Sequence, residues 1–217
     1  MIYPQMGEAA ECDFKRKANQ SGLQYTSTIR DFPLLYLEMK KTAILLCEGK
    51  TADEILSLSV NDNIYQLDKE KRRRSMPLKM TKRLSSLCKP LIGALADCTT
   101  DEGKLIAFLA LMKAERLVGE YMLDIYADKA DFDEITDLDF MQFADRLAAN
   151  SDTVAGWKTD TLKDLNSRIK SILCDAGLAK RTKTGLTVQK GIVDGDFCRL
   201  LSDSDFIYAK AMLRGVV

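Results

Sequence analysis

The stretch LKDLNSRIKSILCDAGLAKRTKTGLTVQ, residues 162–189, decides how the chain is read. Leu162, Leu165, Ile169, Ile172, Leu173 and Ala176 recur at helical spacing, and residues three and four apart share one helix face. Gly177 follows, where a helix C-terminus favours a residue that takes positive φ at no cost. Two short runs come next, 178–181 and 186–189, joined by Thr182-Lys183-Thr184-Gly185. The glycine and the alternation beside it predict a β-hairpin. A last helix is expected over 202–213. Helix, hairpin, helix is the order of a winged-helix module, whose wing would be tipped by Lys180, Arg181 and Lys183.

Upstream the pattern is helical throughout. Residues 150–156 are polar and turn-like, the best place for a domain boundary. Before them, Phe140, Phe143, Ala144 and Leu147 make the inward face of a helix over 138–149. Residues 103–113 are apolar nearly all round and should be central. Thr51-Ala52-Asp53-Glu54 reads as a capping box, and Leu35, Met39, Ala43 and Leu46 mark the first long helix. Pro77 is expected to interrupt the chain, with Ser75 capping a new helix whose apolar face is Met80, Leu84, Leu87 and Leu91. The expected class is mainly α: a flexible leader over 1–22, a compact multi-helix bundle over 23–150, and a smaller helix–β-hairpin–helix, winged-helix-like part over 151–217.

Composition narrows the chemistry. A hydrophobic share of 46% and a charged share of 29% over 217 residues fit a soluble globular protein with a real core. The N-terminal residues do not read as a signal peptide and no apolar run reaches the ~20 residues of a membrane span, so a cytoplasmic protein is expected. The chain has no histidine, which removes the commonest general base and the Ser/His and Cys/His nucleophile pairs. Cys12, Cys47, Cys88, Cys98, Cys174 and Cys198 form no CxxC pair, so neither a zinc site nor a bound cofactor is expected. No phosphate-cradling glycine loop is present. The acids Asp131, Asp133, Glu134, Asp137 and Asp139 lie in a polar connector, where they more simply cap helices than hold metals. The chain is therefore read as non-enzymatic.

Charge is sorted along the sequence although it sums to zero. Residues 69–89 hold nine Lys/Arg and one acid, whereas residues 120–145 hold nine Asp/Glu and one lysine. Residues 163–190 hold seven Lys/Arg and two acids. Clustered cations suit a polyphosphate, because each neutralised phosphate releases a counterion. Arg72, Arg73, Arg74, Lys79, Lys82 and Arg83 are the first candidate phosphate contacts, with Lys79, Lys82 and Arg83 placed on the outer face of their helix. Lys163, Arg168, Lys170, Lys180, Arg181 and Lys183 form the second group. Asn166 and Arg168 are candidates for reading base edges. A protein-interaction scaffold docking through the acidic segment is the alternative, and RNA binding would use Tyr65 as its stacking surface.

Tyr25-Thr26-Ser27, Leu34-Leu35, Glu38, Lys41 and the run from Leu45 to Thr51 with Glu54-Ile55 resemble the opening of the BrxA family. This is a small component of the BREX phage-defence systems of bacteria and archaea. Trp157, Thr161-Leu162, Arg168 and Asp175-Ala176-Gly177-Leu178 are similar to a second segment of that family. The resemblance spans most of residues 25–180; the polar leader before Leu23 is longer than that family's usual start. It implies a mostly helical protein, likened in part to the antitermination factor NusB, that binds double-stranded DNA. It also implies no known catalytic residues, and partnership with the system's methyltransferase and large ATPase. Oligomeric state is left open.

Overall fold

In the computed structural model, residues 22–215 are described; the expected leader over 1–22 lies outside them apart from Gly22. The chain forms two compact units. One is Leu34–Ala114, and the other joins the described residues up to Pro33 with those from Glu115 onward. The boundary expected near 150 thus lies inside the second unit, because strands from either side of it share one sheet.

The Leu34–Ala114 unit is all helical: α1 Tyr36–Cys47, α2 Ala52–Asn61, α3 Glu70–Leu84, α4 Lys89–Asp97 and α5 Thr100–Ala114. The apolar circumference of α5 makes it the core, and every residue from Leu105 to Met112 is buried. Thr51 and Glu54 form the capping box of α2, with the Thr51 N–H donating to Glu54 Oε2 at 2.7 Å.

Pro77 does not interrupt α3. A proline inside a helix strands the carbonyl four residues back. Here that carbonyl belongs to Arg73, and it accepts the hydroxyl of buried Ser59 on α2 at 2.6 Å. The orphan is satisfied from the neighbouring helix, so the chain runs straight through. Ser75, expected as an N-cap, instead bonds the Lys71 carbonyl within the same helix. The break comes after Leu84, and Pro90 lies in the first turn of α4, where its missing N–H costs nothing.

In the second unit a short 3₁₀ turn, Thr28–Arg30, precedes α6 Arg116–Tyr121, which widens into a π-helical turn over Met122–Tyr126. Then follow β1 Glu134–Thr136, α7 Asp137–Ala148, α8 Asp152–Ala155, α9 Thr159–Asp175, β2 Ala179–Arg181, β3 Gly185–Val188, α10 Gly195–Leu200 and α11 Asp203–Met212. The expected hairpin is β2–β3, antiparallel, with Lys180 opposite Thr187. The acidic connector adds an unforeseen third strand, β1, which pairs antiparallel with β3, so the order is β1-β3-β2. Gly185 is required by this pairing more than by the turn, since a Cβ there would collide with the carbonyl of Ile135. Leu165, Ile169, Ile172 and Leu173 bury one face of α9, which packs on α7 and β2. Tyr126 is fully buried, and its hydroxyl lies 2.7 and 2.8 Å from the carbonyl oxygens of Leu178 and Gln189 at the base of the hairpin.

Candidate nucleic-acid interface

The apolar stripe that buries one side of α9 turns Lys163, Asp164 and Ser167 outward. Arg168 flanks this face, half-buried, and lines a polar cleft with Arg30, Asp31, Asp164, Ser167 and Ser171. The hairpin follows α9 directly, because Gly177 at φ 76° reverses the chain and the Leu178 N–H caps the Leu173 carbonyl at 2.8 Å. Lys180, Arg181 and Lys183 are all exposed on β2 and its loop. Arg181 donates to Ser171 on α9 at 2.7 Å. The loop is held in shape by β1, since Thr182 and Thr184 both donate to Glu134.

Asn166 and Lys170 have other work. Both donate to Asp137 at the start of α7, Lys170 at 2.6 Å with its side chain only 12% exposed. The Lys170 hydrogen bond, helped by that of Asn166, holds the Asp137 carboxyl below its usual range. These two side chains fasten α9 to α7 instead of facing outward, because they lie on the flank of the helix beside its buried stripe.

The arginines of the first basic segment are largely engaged locally, while Lys69, Lys71, Lys82 and Lys89 stay exposed. Arg83, expected outside, is 0% exposed: it lies three residues from Met80 and four from Leu87, on the buried stripe itself. Arg73 donates through Nε to the Leu67 carbonyl at 2.7 Å, and Arg74 pairs with Glu70 at the same distance. Arg72 and Lys79 are half-buried, while Arg74 and Lys82 are exposed. Much of the acidic segment is engaged as well. Glu120 is buried and accepts from Tyr25 and Arg116; Asp131 pairs with Arg214; Asp139 caps α7. Tyr65 is buried with its hydroxyl 2.7 Å from that of Thr42, so it offers no stacking face. Among the described residues, no three acids or cysteines gather as a metal site, and no helix is long and apolar enough to cross a membrane.

One residue of this surface escaped the sequence reading. Arg30 reaches α9 and pairs with Asp164 at 2.6 Å across a separation of 134 residues. A lone arginine after an isoleucine carries no periodic signal, and only the tertiary fold brings it there.

The protein compares closely with known chains. The BrxA family's sequence pattern matches residues 23–205. A Bacillus cereus (strain H3081.97) protein named BREX protein BrxA is 32% identical over 174 residues, covering 79% of this chain and 87% of that one. The crystal structure of an uncharacterized protein from Magnetospirillum magneticum superposes with a TM-score of 0.73 at 21% identity, covering 90% of this chain and all of the other. That last likeness concerns the fold alone. On the extent of the sequence match, the chain belongs to the BrxA family.

Proposed function

We propose that the protein is a non-catalytic accessory of a BREX phage-defence system that binds double-stranded DNA through α9 and the β2–β3 hairpin. The run α6–β1–α7–α9–β2–β3, with sheet order β1-β3-β2, is read as a winged helix in which α9 lies in the major groove and the hairpin is the wing. One observation carries this reading. Lys163, Arg168, Lys180, Arg181 and Lys183 lie on one helix and the hairpin after it, and none is paired with a carboxylate among the described residues. Free cations release phosphate counterions; cations already matched by acids do so poorly. Phosphate contacts by the wing would fix register, and Arg168 is the side chain suited to a base edge. Asn166 is assigned to holding α9 in place, not to reading bases. A cytoplasmic setting and direct contact with the system's methyltransferase and ATPase belong to the same proposal.

The test is a binding curve with a labelled 20-bp duplex at two salt concentrations, with single-stranded DNA and RNA as competitors. Four phosphate contacts, from Lys163, Lys180, Arg181 and Lys183, correspond to a log–log salt slope of about −3.6, about −0.9 for each. Duplex binding of that kind, beaten by neither competitor, supports the proposal. A protein that ignores duplex DNA at low salt is a scaffold instead, and preference for RNA would favour the NusB-like alternative.

A further inference from the structure

We propose that Arg30, outside the winged-helix run, is a working part of the duplex-contact surface. The inference rests on the reading of α9 given above. Asp164 lies in the middle of the outward face of α9, one turn before Arg168 and beside Lys163, with its side chain 55% exposed. An uncompensated carboxylate there would repel the phosphates that its neighbours attract. Arg30 cancels it at 2.6 Å through Nη2. A guanidinium carries five N–H donors in a fixed fork, so one bridged terminal nitrogen leaves donors to meet a phosphate oxygen while Asp164 is held.

The segment before Arg30 is built to keep it there. Tyr25 donates to buried Glu120 at 2.6 Å and stacks under the Arg116 guanidinium, 4.1 Å from its ring centroid. Thr26 and Thr28 both donate to Oε2 of buried Glu115, at 3.1 and 2.8 Å. Ile29 is buried. A strap fixed at four consecutive or nearly consecutive residues ends in an arginine laid on the outward face of the helix. Anchoring lowers the entropy lost when Arg30 meets its ligand.

The experiment measures affinity of the full chain for a 20-bp duplex at two salt concentrations, comparing R30A, R30K, D164N, R30A/D164N and K163A/R168A with the parent. Losing one phosphate contact and exposing a repelling carboxylate should weaken R30A by roughly tenfold and reduce the salt slope by about one. D164N should bind more tightly than the parent. R30A/D164N should recover part of the loss in R30A, because the repelling charge is gone while the missing contact is not. R30K keeps the charge but not the fork and should fall between R30A and the parent, which separates a lost contact from a damaged fold. Parent-like affinity and slope in R30A, alongside weakened K163A/R168A, would overturn the role of Arg30 and leave the α9 reading standing. An R30K as weak as R30A, or an R30A/D164N no better than R30A, would also count against it. Unchanged binding by K163A/R168A would remove the α9 reading and this inference together.

Discussion

Two basic regions differ in what becomes of their charge. Helix α3 and its flanks hold the densest run of Lys/Arg in the sequence, yet its arginines are largely consumed: Arg83 inside the core, Arg73 on a backbone carbonyl, Arg74 on Glu70, so that its exposed charge is mostly lysine, Lys69, Lys71, Lys82 and Lys89. Helix α9 and the hairpin hold fewer cations, but Lys163, Lys180, Arg181 and Lys183 are exposed and Arg168 lines an open cleft. Local density of charge in a sequence is therefore a poor guide to charge available to a ligand. What decides is helix phase, which sends one residue in three or four inward whatever its type, and the presence of a carboxylate within reach.

The largest effect that would sharpen this contrast is on stability. Arg83→Ala should cost about 2–3 kcal/mol in urea unfolding, near the top of the usual range for single substitutions, while the folded protein keeps parental duplex affinity. A stable Arg83→Ala that binds DNA poorly would break the contrast. On the other side, Lys163→Ala with Arg168→Ala should weaken duplex binding by about tenfold and flatten the salt slope by about one, for the phosphate contact of Lys163, with little change in unfolding midpoint. Ser59→Ala should lower stability by about 1 kcal/mol, since it strands the Arg73 carbonyl that Pro77 leaves open; combined with Pro77→Ala, which restores the helix N–H, the loss should shrink.

Acid should loosen the fastening of α9 to α7. The Asp137 carboxyl titrates below its unfolded value, near 3.9, so its contribution is complete above that value and disappears as pH falls through the lower, folded one. The side chain is 67% exposed, and solvent screening limits the effect to no more than about 0.5 kcal/mol. Stability of parent and Asp137→Asn measured from pH 6 to pH 3 should converge at the acid end. The smallest effect is expected from Arg74→Ala with Lys82→Ala, less than about twofold in duplex affinity, because neither cation is among those assigned to the duplex and exposed charges are screened by salt.

Much of the fold was legible where side-chain periodicity is strong. The stripe of α9, the all-round apolar α5, the Thr51 capping box and the β2–β3 hairpin are each visible in the residues themselves. Strand β1 was not, because three residues, Glu134-Ile135-Thr136, are too few to show alternation and sit among acids that read as a connector. The passage of α3 through Pro77 was hidden for a different reason: the compensating donor, Ser59, lies 14 residues earlier on another helix. The candidate surface was half legible. Its cations could be named from the sequence, but that Asn166 and Lys170 turn to Asp137, that Arg83 turns inward, and that Arg30 arrives from far upstream are consequences of tertiary packing.

The most direct comparison sets two neutralised proteins side by side. In one, Lys163, Arg168, Lys180, Arg181 and Lys183 are replaced by alanine; in the other, Arg72, Arg74, Lys79 and Lys82. Duplex affinity across a salt series should collapse in the first, its slope falling by about four, and stay close to the parent in the second. Loss of binding in the second with retention in the first would contradict the assignment of DNA to α9 and its wing.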